Sequence, residues 1–137
     1  MKKIILLIFF VSLYLPINTI LYAQDLKEKI LIKAVEEIII YGKNTTKVVK
    51  ARIDTGASQS SIDKDLAKEL GFNKYIGKIN VISANGIQLR NMIEVNYSLA
   101  GKNIKAIFTI SDRSNLNYKV LIGRNDLKGF LINPEDE

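Results

Sequence analysis

Along most of the chain from Ile30 onward, apolar residues recur at every second position, the period of a strand with one buried face. ILIKAVEEIIIY reads as one long, β-branched strand that ends at the turn residues Gly42-Lys43-Asn44. TTKVVKARI returns as its hairpin partner, with Val49, Ala51 and Ile53 on one face and Val48, Lys50 and Arg52 on the other, so Asp54 falls at the strand's end. The period changes once. IDKDLAKELGF sets Leu66 and Leu70 one helical turn apart, offers Asp63 as an N-cap and closes on Gly71-Phe72, which predicts a short helix with a left-handed stop. Period two then resumes at Ile76. IGKINVIS and IQLRNMIEVNYSLA flank Ala84-Asn85-Gly86, with Ile87, Leu89, Ile93, Val95, Tyr97 and Leu99 on alternate positions, and together they predict a long hairpin. A turn at Gly101-Lys102-Asn103 leads into IKAIFTIS, and the loop DRSNLNY leads into the strand KVLIG. RNDLKG reads as a helical turn before a last strand, FLIN, and the acidic tail PEDE. The order of elements predicts a mostly β domain with one short helix and a C-terminal helical turn.

The chain has 137 residues, about one domain in length. It opens with Met1-Lys2-Lys3 and the apolar run IILLIFFVSLYL, and LYAQ places Ala23 at a cleavage position, so residues 1–23 are expected to be a signal peptide and residues 24–29 a leader into the domain at 30–137. An uncleaved membrane anchor is the alternative, but Pro16, Asn18 and Thr19 interrupt the apolar run. Either reading puts the folded part outside the cytoplasm. A cleaved signal implies a periplasmic or secreted protein with no membrane attachment.

There is no Cys and no His. Disulfides, thiol nucleophiles, serine–histidine pairs and the usual zinc ligands are therefore excluded, and any metal site would have to be made of carboxylates. Neither metal nor cofactor is expected. The net charge is +6, and loss of Lys2 and Lys3 leaves 18 basic against 14 acidic residues, or +4. These charges are scattered singly, with no basic run and no interleaved aromatics, so no nucleic-acid surface is expected. GKNTTK lacks the leading Gly of a phosphate loop and reads as a hairpin turn.

Chemistry is concentrated in KARIDTGASQSSID, where a strand ends on an acid, a hydroxyl and a glycine. Two carboxyl groups a few ångströms apart share one proton, because both cannot ionise, and the pair then holds a base and an acid for attack of water on a peptide carbonyl. Gly56 permits close backbone approach to a symmetric copy, and Thr55 offers a hydroxyl that can reach across to it. One such triplet is present, so the second acid would come from another copy of the chain in a two-fold homodimer. The hairpin at Ala84, Asn85 and Gly86 would be a flap over the cleft. Asp followed by Gly is also common in ordinary turns, so the triplet does not settle the matter.

KARIDTGA together with KVLIGRNDL resembles the retroviral-type (retropepsin) aspartic proteases, in which an Asp-Thr-Gly-Ala loop and a flap hairpin are followed by two apolar residues, Gly and Arg-Asn, here Leu121, Ile122, Gly123, Arg124 and Asn125. The likeness is closer to a bacterial family labelled ATP-dependent zinc proteases, in KARIDTGAS and DRSNLNYKVLIGRNDLKGFLINP, from about Ile30 to Pro134. The resemblance implies a closed retropepsin-like β-barrel forming half of a pepsin-like dimer and acting on peptide or protein substrates. It implies Asp54 as catalytic acid/base, Thr55, Gly56 and Ala57 as the supporting loop, and Gly123, Arg124 and Asn125 as structural bracing. Two positions depart from the pattern. SSIDKD stands where the bacterial family commonly has a His, and Ser58 stands where retroviral enzymes place an acid. A non-catalytic peptide-binding module on the same fold is the alternative.

Overall fold

The computed structural model describes residues 29–83 and 86–135. The expected signal peptide and all but the last residue of the leader lie outside the described residues, as do Ala84 and Asn85 of the expected flap. The described residues from Leu31 onward belong to one compact unit. Among the described residues, no helix is long and apolar enough to cross a membrane.

The run expected to be one long strand is two. β1 (Ile30–Lys33) pairs with β9 (Phe130–Asn133), whereas β2 (Val35–Tyr41) pairs with β3 (Thr46–Asp54). Between them the chain changes sheets at Ala34, which is buried and whose carbonyl accepts a hydrogen bond from Ile53 N at 2.9 Å. A uniform run of β-branched residues carries no mark of such a switch, because both pieces need the same residue types.

β3 places Ala51 and Ile53 in the core and Arg52 in solvent. The next strand, β4 (Ser60–Asp63), is an element the sequence did not predict, since Ser60 and Ser61 read as polar loop and Ile62-Asp63 as the start of the helix; all four residues are buried. It is possible because the buried polar groups find partners. The Ser60 hydroxyl accepts from Gly123 N at 2.9 Å, the Ser61 hydroxyl accepts from Arg113 Nη1 at 3.2 Å, and Asp63 Oδ2 accepts from Arg113 N at 2.8 Å. Asp63 Oδ1 also accepts from Asp65 N at 3.1 Å, capping α1 (Lys64–Glu69), whose Leu66 and Ala67 are buried. Gly71, at φ +82°, ends the helix where it was expected to stop.

β5 (Gly77–Ser83) and β6 (Gly86–Leu99) form the long hairpin, and β7 (Lys102–Ser111) follows β6 antiparallel. Leu99 pairs with Lys102, so the turn is Ala100-Gly101, both at positive φ, one residue earlier than expected. Its backbone twist matches that of the flanking strands, and Ala100 takes a conformation its residue type does not announce. β8 (Val120–Gly123) leads into a single 3₁₀ turn (Arg124–Asp126) before β9.

Six strands close on themselves. The order is β2, β3, β8, β4, β7 and β6, and β2 pairs again with β6, with Ile38 opposite Leu99; β5 is added outside β6. Two joins are parallel, β3 with β8 and β4 with β7. Ile38, Ile40, Ile62, Val95, Leu99, Val120 and Ile122 fill the barrel around Tyr97 and Phe108, whose rings meet edge to face with centroids 5.4 Å apart. Alternation in β6 delivers Ile93, Val95, Tyr97 and Leu99 to this core, but Ile87 and Leu89, in phase with them, are exposed. The hairpin runs past the end of the barrel, and a side chain facing the barrel's side there meets solvent.

Candidate active site

β3 is hydrogen-bonded between β2 and β8, and its last residue, Asp54, lies opposite Gly123 of β8. At that point the chain leaves the sheet in a tight turn. Asp54 Oδ1 accepts from Gly56 N at 2.9 Å and from Ala57 N at 3.2 Å, so the loop's own backbone fixes the orientation of the carboxylate. A Cβ on Gly56 would stand 3.1 Å from that oxygen, tighter than ordinary contact.

The turn after β8 grips this loop along its length. Arg124 Nη1 donates to Thr55 O at 2.9 Å and to Gly56 O at 3.3 Å, Arg124 N donates to Ala57 O at 2.9 Å, and Asn125 N donates to Ser58 O at 3.2 Å. With Ser58 in place of an acid, the Arg124 guanidinium is held by main-chain carbonyls. Beneath them, the Ser60 hydroxyl donates to Asp126 Oδ2 while accepting from Gly123 N. Burial raises the pKa of the Asp126 carboxyl above its ordinary value, and the Ser60 bond partly opposes the shift. The Tyr97 hydroxyl is buried and has no hydrogen-bond partner among the described residues, and its pKa is pushed well up by burial first and by the Asp126 charge second.

A cleft of about 630 Å³ opens over Asp54. Its floor is the loop from Gly56 to Gln59. Its roof is the β5–β6 hairpin, through Ile79, Val81 and Arg90. The described end of that hairpin pairs Ser83 with Gly86, at φ +101°. Arg113 reaches the cleft from the loop after β7, buried and held by Nε to Tyr118 O at 2.9 Å. Burial lowers its pKa, as does the charge of Arg90, with Asp63 and Asp54 acting the other way.

The structure therefore gathers Asp54, Thr55, Gly56, Ala57, Gly123, Arg124 and Asn125 into one unit, whereas Gly86, at the described end of the hairpin, does not line the cleft. Sequence reasoning missed Ser60, Arg90, Arg113 and Asp126. Arg113 carried a signal, the Asp-Arg pair at the head of the C-terminal motif; Arg90 carried none, lying in a strand read for its apolar positions. Among the described residues, no three acidic, His or Cys side chains are grouped to hold a metal ion.

No protein-family model matches the sequence, and no curated protein sequence does. Among solved structures, a DUF785 protein of unknown function from Legionella pneumophila aligns with a TM-score of 0.52 at 14% identity, over 77% of this chain and 94% of its own. The foamy viral protease-reverse transcriptase, solved with an RNA/DNA hybrid, aligns with a TM-score of 0.54 at 21% identity, over 74% of this chain and 12% of the viral one. The fold is retropepsin-like. The simian foamy virus protease aligns at 18% identity over 68% of this chain and 90% of its own, with a TM-score of 0.49. In this retropepsin-like barrel the Asp-Thr-Gly loop and the Gly-Arg-Asn turn, 69 residues apart between Thr55 and Arg124, meet at the floor of the cleft.

Proposed function

We propose that the chain is an exported aspartic endopeptidase that works as a homodimer, with Asp54 of each protomer sharing one proton. The observation that carries this reading is the Asp54 carboxylate held by Gly56 N and Ala57 N at the floor of a roofed cleft. In the dimer, the ionised Asp54 takes a proton from water as its oxygen bonds to the scissile carbonyl carbon, and the protonated Asp54 gives its proton to the carbonyl oxygen. Collapse of the tetrahedral diol then breaks the C–N bond as one Asp54 carboxyl gives its proton to the leaving nitrogen and a diol hydroxyl returns a proton to the other Asp54, which restores the shared proton. Thr55, Gly56 and Ala57 hold the loop, Gly123, Arg124 and Asn125 brace it, and the hairpin ending at Ala84, Asn85 and Gly86 acts as flap.

The motif likeness supports membership of the bacterial retropepsin-like family labelled ATP-dependent zinc proteases, although the absence of His and Cys speaks against the zinc in that label. The N-terminal pattern supports residues 1–23 as a signal peptide, 24–29 as a leader, and a periplasmic or secreted protein without membrane attachment. Peptide or protein is the substrate, and no nucleic acid, metal or cofactor takes part.

The test is cleavage of a diverse peptide pool read by mass spectrometry, with Asp54→Asn in parallel. Wild-type cleavage that is lost in the variant, at a rate per chain rising with protein concentration, is expected. Equal cleavage by Asp54→Asn refutes the reading. A folded wild type that binds peptides without cutting them instead identifies a peptide-binding module, for which the single Asp-Thr-Gly loop per chain already speaks.

A further inference from the structure

The charged residues lining the cleft are Asp54 and three arginines, Arg90, Arg113 and Arg124. None of these guanidinium groups forms an ion pair with a described carboxylate. Arg124 is committed to the loop carbonyls, as described above. The other two face the space above Asp54 from different elements, Arg90 from the roof and Arg113 from the wall. Both are held before any ligand arrives. Gln88 Oε1, two residues along the same face of β6, accepts from Arg90 Nε at 3.3 Å and from Nη2 at 2.8 Å. Arg113 is fixed by Tyr118 O and the Ser61 hydroxyl, and is only 8% exposed. Amide and hydroxyl oxygens orient a guanidinium without neutralising it, so each keeps its charge and further N–H donors for a ligand. Two such cations close enough for one to disfavour the other's charged form raise the free energy of the empty site, and an anion between them relieves it.

We infer that Arg90 and Arg113 form a carboxylate subsite beside Asp54, and that the cleft selects peptides carrying a carboxylate next to the bond over Asp54. The inference rests on reading the cleft as a peptide site. It adds the chemistry of the occupant, which the Asp-Thr-Gly loop does not specify. The carboxylate can belong to an acidic side chain or to a chain terminus.

The experiment measures binding of fluorescent peptides to the Asp54→Asn protein and, separately, their cleavage by the wild type. Three peptides of otherwise identical sequence are compared, one with an internal Glu and capped ends, one with Gln in its place and capped ends, and the Gln peptide with a free C terminus. A charge-assisted bond to a held guanidinium predicts Kd at least about tenfold lower for a carboxylate-bearing peptide than for the capped Gln peptide. That ratio falls with added salt, shrinks in Arg90→Gln, and moves in favour of a Lys-bearing peptide in Arg90→Glu. Preference for the internal Glu assigns the subsite to side chains, and preference for the free terminus assigns it to chain ends. Equal affinity for all three peptides overturns the inference and leaves the protease reading intact if the wild type cuts them. A carboxylate preference without wild-type cleavage supports the subsite and removes the protease. A preference untouched in both Arg90 variants overturns the assignment to these residues. Arg90 pairs with Ile79 of β5, ahead of Met92 where β6 joins β7, so its variants are expected to fold, which circular dichroism checks.

Discussion

Gly123→Ala isolates the contact on which the position of Asp54 depends. Gly123 has φ −87° and ψ 165°, extended values open to any residue, so the substitution carries no backbone conformational penalty. Its cost is steric. An added Cβ would stand 2.5 Å from the carbonyl carbon of Gln59, 2.7 Å from its oxygen and 2.9 Å from Ser60 N. These are backbone atoms of the segment between the Asp54 loop and β4, and no rotamer change clears them. Forcing one methyl into a packed site costs about 1–3 kcal/mol. Pushing the strands apart also weakens the bond from Gly123 N to the Ser60 hydroxyl, about 1 kcal/mol more. A total of about 2–4 kcal/mol corresponds to a midpoint lowered by about 10–25 °C in a domain of this size. Gly101→Ala is the control. That residue has φ +80° and no atom within 4 Å of an added Cβ, so it pays only for the left-handed backbone, about 1 kcal/mol. Urea and thermal unfolding followed by circular dichroism compare the two. If Gly123→Ala loses less than about 0.5 kcal/mol, or less than Gly101→Ala, the close packing of β8 against the Asp54 loop is refuted.

Two further changes test the polar groups under the site. Tyr97→Phe removes a buried hydroxyl with no partner, so stability measured in urea should stay unchanged or rise by up to about 1 kcal/mol; a loss above that would mean the hydroxyl is bonded. The Asp126 carboxyl has its pKa raised by folding, so the native state holds its proton more tightly than the unfolded chain. Its contribution is therefore most favourable below the unfolded value near 3.8 and is lost as pH rises through the folded value. Asp126→Asn, which keeps an acceptor for Ser60, should gain stability relative to wild type between pH 3 and pH 7, and a difference that does not change with pH contradicts this.

The barrel was legible where burial follows alternation. β3, the hairpin, β8 and the capped helix all lie where the period put them, and in β3, in β6 from Ile93 onward and in the helix one face meets the core. β4 was hidden because its strand state rests on long-range partners for two serines and an aspartate, and no local pattern records that Arg113 and Gly123 will arrive. Ile87 and Leu89 were read with the core for the opposite reason, since alternation specifies a face and not how far the barrel extends along it. At the site, the short motif marked Asp54 and its loop. Of the arginines opposite, Arg113 stood in the C-terminal motif without a role, and Arg90 was invisible, because one position in a strand and one in a loop share no spacing.

The insertion of β8 between β3 and β4 also sets the timing of assembly. Without Val120–Gly123 the ring has a gap, the end of β3 keeps only β2 and Ala34 beside it, and the Asp54 loop loses the turn that braces it. Contacts spanning 69 residues carry a high closure entropy and form late, so the loop takes its working shape only after the C-terminal segment has docked. A chain cut short before Val120 holds the whole Asp-Thr-Gly loop and still lacks the site. The Asp-Thr-Gly loop thus stays unbraced until the segment carrying Val120 to Asn125 has followed it and folded back.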